Sequence, residues 1–509
     1  MINRRQFLYL AGAGALNLLN VNGLPFSKTG FASSENNDFL PDLELSLTAR
    51  PSEVQIFPGQ PTTVWQYKGQ VIKGDPASLV SLDQSFLGPI IRTRKNQKVR
   101  IHFNNDLPDR SIIHWHGLHV PAKMDGHPMY VIPTGDTFTY EFEVLNRAGT
   151  YWYHPHPHGR TGHQVYGGLA GLFLVSDDEE NKLNLPDEKL DIPLVIQDRS
   201  FSSNNQLIYL PRGMRDSMTG MLGDSICVNG RPDFKLSVST RAYRLRILNG
   251  SNSRIYKLAW KDGTPLTVIA TDGGLLDRPV QKKYVVLGPA ERIELWADFS
   301  KYPVGTSLEL VSKYFEAAMQ ERTMGPRRGI TGGDRLPNGA PFSVFKIDVT
   351  KREKETRTLP KQLSSIERSQ LHDADNSATP RRFSFFMRHM NGLINGRTFR
   401  MQEVADDERI RLNSTELWEL ANDDRSMGMM MMPMPHPVHL HGKQFQVVER
   451  SGALHSGYVD EGWKDTVLLM PGERARIVVN FTDYPGMFLY HCHILEHGDM
   501  GMMRNYLVT

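Results

Sequence analysis

The segment HCHILEHGDMGMM, residues 491–503, places five metal-binding side chains close together: His491, Cys492, His493, His497 and Met502. In an extended strand, His491 and His493 would share one face, and Cys492 would lie on the opposite face. Imidazole, thiolate and thioether groups suit copper or zinc better than magnesium or calcium. The segment therefore predicts a β-strand with metal ligands on both of its faces.

Three further His-x-His pairs occur in the chain. They are His114 and His116 in IIHWHG, His154 and His156 in YWYHPHPHG, and His439 and His441 in HPVHLHG. Each pair lies in or just after a strand-like run, so both of its imidazoles point to one side of a strand. A single pair is weak evidence for a metal, but eight imidazoles exceed what one ion can bind. The four pairs therefore predict a cluster of several copper or zinc ions.

The chain as a whole is predicted to be rich in β-strands. Short alternating or β-branched runs such as KVRIHFNNDL, TFTYEFEVL, YRLRILNG, ERIELWADF, QFQVVER and RARIVVNF are bounded by Gly, Pro, Asn and Asp. They indicate antiparallel sandwiches or barrels, and 509 residues allow about three domains. Histidine-rich parts at about 40–178 and 383–509 flank a ligand-poor part at about 186–350, and the polar stretch 351–382 is predicted to be a linker.

One metal site follows from residue spacing. Cys492, His497 and Met502 have a C-x4-H-x4-M spacing, and His436 lies upstream in MPHPVHLHG. One Cys, two His and a weak Met ligand are the composition of a blue-copper electron-transfer site. A structural zinc site would need more thiolates, and the only other cysteine, Cys227, is expected to pack in a core. Met502 could also be a core residue, because two further methionines flank it.

In their order along the chain, HWHG, WYHPHPHG, HPVHLHG and HCHILEHGDMGMM resemble the motifs of the multicopper oxidase family, which includes laccases and bacterial cuprous oxidases. The resemblance covers nearly the whole chain after an N-terminal leader. It implies an all-β fold of three tandem cupredoxin-like Greek-key β-barrel domains, at 40–178, 186–350 and 383–509. It also implies four copper ions: one type 1, or blue, copper, one type 2 copper and two type 3 coppers. The last three would form a trinuclear cluster between the first and third domains.

Every ligand position of the family has a matching residue in this chain. The resemblance assigns the type 1 copper to His436, Cys492, His497 and Met502. It assigns the type 2 copper to His114 and His439, and the type 3 pair to His116, His154, His156, His441, His491 and His493. This complete set argues against a non-enzymatic cell-envelope protein that shares the fold but has lost its copper ligands.

The implied reaction removes electrons from a substrate at the blue copper and passes them through Cys492 to the cluster, where dioxygen is reduced to water. That reduction consumes protons, so carboxylates are expected nearby. Asp125, in GLHVPAKMDGHP, matches the family's acidic residue beside the type 2 copper, although the same residue could be a turn aspartate before a glycine. Many bacterial members carry a glutamate where this chain has Gly498, which makes Asp499 and Glu496 candidate replacements.

The reducing substrate is less sharply indicated. The segment before His436 contains Met427, Met429, Met430, Met431, Met432 and Met434. Thioethers suit Cu(I), but methionines also form adaptable apolar surfaces for organic molecules. Cuprous-oxidase relatives often add a methionine-rich insertion elsewhere in the third domain, and the 351–382 linker has no methionine. We therefore expect a phenolic, laccase-like substrate, with cuprous oxidation in copper tolerance and non-catalytic copper sequestration as alternatives.

The N-terminus resembles a twin-arginine export signal over residues 1–32, with Arg4 and Arg5 before a short apolar run and a possible cleavage site near Ala32. The apolar run is too short to span a bilayer comfortably. We expect a folded, copper-loaded protein in the periplasm, without membrane attachment once the signal is removed. A formal net charge of +3 gives no sign of nucleic-acid binding, and a monomer is the default expectation.

Overall fold

The structure, a computed structural model, describes residues 36, 38–316, 336–388, 390–423, 433–452 and 456–509. The leader at 1–32 and the methionines Met427, Met429, Met430, Met431 and Met432 lie outside the described residues. The described strands form six sheets, arranged in three successive pairs along the chain.

The first pair of sheets is formed by residues 43–176. Its strands are β1 (Leu43–Val54), β2 (Thr62–Lys73), β3 (Leu79–Val80), β4 (Ile90–Arg94), β5 (Lys98–Asn105), β6 (Ile113–His116), β7 (Thr137–Glu143), β8 (Gly149–Pro155) and β9 (Gly171–Ser176). The strand orders are β2-β1-β5-β7 and β3-β4-β9-β8-β6. Helix α1 (Thr161–Tyr166) lies between β8 and β9, and α2 (Asp178–Asn181) follows β9.

The middle pair of sheets is formed by residues 191–351. Its strands are β10 (Asp191–Arg199), β11 (Ser225–Val228), β12 (Lys235–Ser239), β13 (Ala242–Asn249), β14 (Tyr256–Trp260), β15 (Leu266–Thr271), β16 (Gly274–Lys282), β17 (Val285–Leu287), β18 (Arg292–Asp298), β19 (Ser307–Ser312) and β20 (Phe342–Lys351). The strand orders are β11-β10-β13-β18-β15-β16 and β12-β20-β19-β14-β17. Helix α3 (Met214–Thr219) lies between β10 and β11.

The third pair of sheets is formed by residues 381–508. Its strands are β21 (Arg381–Arg388), β22 (Asn391–Ile394), β23 (Arg409–Ile410), β24 (Ser414–Asn422), β25 (His436–Leu440), β26 (Phe445–Ser451), β27 (Trp463–Lys464), β28 (Thr466–Leu469), β29 (Arg474–Phe481), β30 (Gly486–Cys492) and β31 (Met503–Val508). The strand orders are β22-β21-β24-β29-β26-β27 and β23-β31-β30-β25-β28. Helix α4 (Leu495–Asp499) follows β30.

The three pairs of sheets repeat one topology. In each first sheet an early strand runs parallel to a later one: β1 with β5, β10 with β13, and β21 with β24. In each second sheet the parallel partners are β4 and β9, β12 and β20, and β23 and β31. The predicted all-β fold is therefore confirmed. The expectation of antiparallel sheets needs one correction, because each sheet contains one parallel pair. Greek-key crossovers join these strands, and local residue patterns do not reveal such long-range pairing.

This repetition shows where the histidines lie. In the first pair, β6 pairs with β8; in the third, β25 pairs with β30; and in the middle pair the equivalent neighbours are β14 and β19. The strands β6, β8, β25 and β30 contain histidines, whereas β14 (YKLAW) and β19 (SLELVS) contain none. These equivalent strands of the repeated topology thus carry histidines only in the first and third pairs of sheets.

The 351–382 stretch is packed against the sheets rather than extended into solvent. Leu363 is buried, and its backbone N–H donates to the carbonyl oxygen of Asp277 in the middle pair at 2.8 Å. The Ser369 N–H donates to Gln446 Oε1 in the third pair at 3.2 Å. This stretch therefore contacts both the middle and the third pairs of sheets, and β20 and β21 include its ends at Lys351 and Arg381. In the described ranges, no helix is long and apolar enough to cross a bilayer.

Candidate metal centre

The histidine pairs from the two ends of the chain meet in one buried cluster. Where β6 pairs with β8, His114 lies opposite His154, and where β25 pairs with β30, His439 lies opposite His491. Between these two antiparallel strand pairs, the Nε2 atoms of His114 and His439 are 3.3 Å apart, as are those of His156 and His491. The Nε2 atoms of His441 and His491 are 3.0 Å apart. All eight predicted cluster histidines are buried.

Hydrogen bonds on one ring nitrogen direct the other nitrogen towards the cluster. The Nδ1 atom of His114 contacts the Asp125 carbonyl oxygen at 2.6 Å, and that of His154 contacts the Pro155 carbonyl oxygen at 2.9 Å. In the same way, His439 Nδ1 contacts the Asp465 carbonyl oxygen at 2.8 Å, and His491 Nδ1 contacts the Cys492 carbonyl oxygen at 2.9 Å. His116 is reversed, because its Nε2 contacts Asp465 Oδ1 at 3.0 Å. Such contacts select the tautomer and leave the opposite nitrogen available to a metal.

Burial keeps these imidazoles neutral. The pKa values of His116, His154, His156, His439, His441 and His493 are well below their usual range, primarily because of desolvation and secondarily because their neighbours would repel a charged ring. Burial also lowers the pKa of His491 to about 4. Metal coordination requires a neutral ring, so these histidines can bind metal cations without first releasing a proton.

Several buried nitrogens have no partner within the described part of the chain. They include His116 Nδ1, His154 Nε2 and His493 Nε2. An unpaired buried polar atom destabilises a fold, and native proteins rarely leave one without a ligand, water or ion. Together with the all-imidazole donor set, these atoms fit a group of borderline transition-metal ions such as copper.

A second buried group lies directly behind this cluster. Cys492 Sγ is 3.4 Å from His436 Nδ1 and 3.7 Å from His497 Nδ1. The three side chains could hold one ion together. Met502 is buried in the same core cluster, and its carbonyl oxygen accepts from the Cys492 N–H at 3.1 Å. His497 Nε2 contacts the carbonyl oxygen of Met218, in α3, at 3.0 Å.

Strand β30 joins the two groups. His491 ends in the histidine cluster, and the next residue, Cys492, belongs to the second group. His493 follows, and its ring lies among those of His116, His154 and His439. The two groups are therefore connected through the covalent bonds of three successive residues.

The three predicted acidic residues lie in different surroundings. Asp125 is buried beside the cluster, and its Oδ2 accepts from His441 Nδ1 at 2.8 Å. Burial raises its pKa, while His114 opposes this increase. Asp125 follows a short 3-10 turn (Ala122–Met124), and Gly126 has a φ of +82°. It is thus a turn aspartate whose carboxylate also contacts a cluster histidine, and its role beside the type 2 copper stays a prediction.

Asp499 and Glu496 lie on α4. Asp499 accepts from the backbone N–H groups of Thr161 and Gly162 at 3.0 and 2.8 Å, and burial raises its pKa to about 7. It lines a narrow cleft together with Gly498, His156, His158, His491 and Met503. Glu496 instead faces the middle pair, where it accepts from Asn252 Nδ2 and Ser253 Oγ, both at 2.8 Å.

Comparisons with known proteins identify the chain. Family models for multicopper oxidases match residues 63–180 and residues 365–509. A multicopper oxidase of Staphylococcus aureus is 34% identical over 445 residues, which cover 87% of this chain and 86% of the relative. The chain belongs to the multicopper oxidase family. The oxidase is also 31% identical to a laccase of Bacillus stratosphericus over 500 residues, covering 87% and 90% of the two chains.

A solved structure agrees with this assignment. The oxidase is similar to the McoA multicopper oxidase of the hyperthermophile Aquifex aeolicus, with a TM-score of 0.78 and 35% sequence identity. The similarity covers 92% of this chain and 97% of that chain. The predicted family is therefore confirmed. The protein is a copper-dependent oxidoreductase that uses dioxygen as its electron acceptor and oxidises small molecules.

Sequence reasoning missed the residues that support the ligands from outside. Asp465 contacts His116 with its carboxylate and His439 with its carbonyl oxygen. Arg292, on β18, makes a bidentate ion pair with Asp465 at 2.7 and 2.5 Å. The one available signal was a charged Lys-Asp dipeptide directly before the apolar run TVLLM, because charges at the start of a buried strand require buried partners.

The two cysteines provide a matched test of the second group. Replacing Cys492 with Ser should abolish the intense blue absorption of the copper-loaded oxidase, because the thiolate ligand is lost. Cys227 is also fully buried but lies on β11 of the middle pair, so Cys227→Ser should retain the colour. Visible absorption of both purified variants checks this. Retained blue absorption in Cys492→Ser would contradict the assignment.

Proposed function

We propose that the protein is a laccase-like oxidase with four coppers: one type 1, one type 2 and a type 3 pair. The supporting observation is that a Cys-His group and an eight-histidine cluster meet on successive residues of one strand, β30. When bound, the coppers would accept single electrons from a reducing substrate and deliver four to dioxygen. The chain's own residues hold the ions, connect the two sites and supply protons.

The ligand assignment of this proposal follows the two groups. The type 1 site takes His436, Cys492, His497 and Met502. The type 2 site takes His114 and His439, and the type 3 pair takes His116, His154, His156, His441, His491 and His493. All eight imidazoles are buried, and a lowered pKa keeps seven of them neutral, all except His114 being included in that number. This supports the assignment, since a neutral ring can donate a lone pair without first losing a proton.

We assign proton supply to two carboxylates on separate sides of the cluster. Asp125 is completely buried, and its Oδ2 accepts from His441. It can therefore hold or release a proton at Oδ1, which has no hydrogen-bond partner among the described residues, on the type 2 side of the cluster. Asp499 lines the cleft that reaches His156 and His491, so it can carry protons in from solvent. Glu496 is fully engaged with the middle pair, which favours Asp499 over Glu496 for this role.

We propose a phenolic or aromatic compound as the reducing substrate. His497 has its outward nitrogen covered by the Met218 carbonyl oxygen, so a reductant delivers its electron across this contact. The alternative is Cu(I), favoured by the methionine run before His436, most of which lies outside the described residues. The third hypothesis is non-catalytic copper sequestration by the same methionines. In that case copper tolerance would survive disruption of the cluster.

The remaining parts of the proposal concern organisation and location. We propose three cupredoxin-like domains at 40–178, 186–350 and 383–509, with the 351–382 linker between the second and the third. We propose that the protein is exported folded by the twin-arginine route and acts as a periplasmic monomer. The repeated sheet topology and the Arg4–Arg5 motif support these statements.

Oxygen uptake with parallel substrates tests the substrate proposal. The copper-loaded enzyme would be given a methoxyphenol, with and without added Cu(II), or Cu(I) alone. A laccase-like enzyme should oxidise the phenol without added copper and change little when Met429, Met430, Met431 and Met432 become Leu. The exposed methionines Met390 and Met401, changed to Leu, are the control. A strong preference for Cu(I) that only the first variant loses would instead indicate a cuprous oxidase.

Asp125→Asn should slow dioxygen reduction by about 10²-fold, because a carboxamide cannot exchange a proton at this position. The blue absorption should persist, since Asp125 does not contact the type 1 group. Oxygen uptake and visible absorption check the two parts. Asp178→Asn, at an exposed carboxylate paired with Arg94, is the control and should behave like wild type. Loss of the blue copper in Asp125→Asn would contradict the assignment.

Asp499→Asn should lower kcat by at least about 10-fold, because the described lining of the cleft would lose its carboxylate. A glutamate at position 498 should restore part of this activity, since the nearest atom to an added Cβ there is the Cys492 carbonyl oxygen at 3.6 Å. Steady-state oxygen uptake of Asp499→Asn, Gly498→Glu and the double variant measures both effects. Unchanged kcat in Asp499→Asn would assign proton entry elsewhere.

A further inference from the structure

The middle pair of sheets supplies no predicted copper ligand, yet one of its side chains contacts the support of the cluster. We propose that Arg292 is a positioning residue: through Asp465, it fixes the orientation and tautomer of His116 and the placement of His439. The ligand-poor part of the chain would then determine how tightly the trinuclear cluster binds copper. This inference rests on the ligand assignment proposed above.

All five N–H donors of Arg292 have acceptors. Nε donates to the Thr150 carbonyl oxygen at 2.9 Å, Nη1 to the Ala290 carbonyl oxygen at 3.0 Å, and Nη2 to the Asp272 carbonyl oxygen at 3.0 Å. Nη1 and Nη2 also donate to the two carboxylate oxygens of Asp465, at 2.7 and 2.5 Å. A buried guanidinium with every donor satisfied is held in one orientation, so it can fix the position of the groups that accept its hydrogen bonds.

The acceptors of Arg292 come from all three pairs of sheets. Thr150 lies on β8, the strand that also carries His154. Ala290 and Asp272 belong to the middle pair, and Asp465 lies between β27 and β28 of the third pair. One side chain therefore fixes the relative placement of the first and third pairs directly behind the ligands that those pairs contribute.

Asp465 transmits this placement to one ligand from each end of the chain. Its Oδ1 accepts from His116 Nε2 at 3.0 Å, and its carbonyl oxygen accepts from His439 Nδ1 at 2.8 Å. Thr466 Oγ1 also lies 3.2 Å from each of these nitrogens. The rings of His116 and His439 are stacked, with centroids 3.6 Å apart. A shift of Asp465 would move both rings together.

The backbone next to His116 packs closely against this ion pair. Gly117 has a φ of +85°, and a Cβ at this position would collide with the carboxylate of Asp465 and the guanidinium of Arg292. The pair is completely buried, so water does not compete for its hydrogen bonds. The close fit means that a shorter or less planar cation at position 292 cannot reproduce the same contacts.

Copper binding by Arg292→Lys and Asp465→Asn tests the inference. Both variants should lose copper from the type 2 and type 3 positions at about 10- to 100-fold lower chelator concentrations than wild type, the usual effect of removing a ligand's supporting hydrogen bonds. The type 2 electron paramagnetic resonance signal should change or vanish. Blue absorption per chain should be retained, because neither residue contacts the Cys492 group in its described hydrogen bonds.

The matched control is a second bidentate pair, Arg450 with Asp460, at 2.8 and 3.1 Å. Its described contacts include no histidine, so Arg450→Lys and Asp460→Asn should alter the unfolding temperature but not the chelator midpoint or the type 2 signal. If Arg292→Lys does not fold, Asp465→Asn decides, since it preserves side-chain shape. A wild-type midpoint and type 2 signal in Asp465→Asn would overturn the inference. Failure of wild type to bind more than one copper would instead overturn the ligand assignment.

Discussion

The structure depends on holding eight imidazoles close together in a space without solvent. Burial and repulsion by neighbouring rings lower the pKa values of His116, His156 and His441, so these rings stay neutral. The cluster therefore requires hydrogen bonds that fix one nitrogen of each ring and cations that satisfy the other. Since the rings come from both ends of the chain, the fold must also hold the β6–β8 and β25–β30 strand pairs next to each other.

The repeated topology explains how this is achieved. The same strand neighbours occur in all three pairs of sheets, but histidines occupy them only in the first and third. The middle pair separates the first and third pairs in sequence. It also holds them close in space, through contacts with the packed 351–382 stretch and through Arg292. Strand β30 then provides a short covalent route between the Cys492 group and the cluster.

The sequence was most informative where chemistry depends on local periodicity. The period of a strand was enough to predict that His491 and His493 share a face opposite Cys492, and the family motifs supplied the rest of the ligand set. Contacts across hundreds of residues could not be predicted in this way. The pairing of Asp125 with His441, the network of Arg292 and the parallel strand pairs depend on tertiary placement, which short windows of sequence do not encode.

Native mass spectrometry of the copper-loaded wild-type protein tests the central claim most directly, because it counts ions per folded chain. The account predicts four coppers on each chain, together with the mass of a monomer. A chain that binds one copper at saturation would contradict it, since the eight histidines would then be a structural cluster and only the Cys492 group would be a metal site.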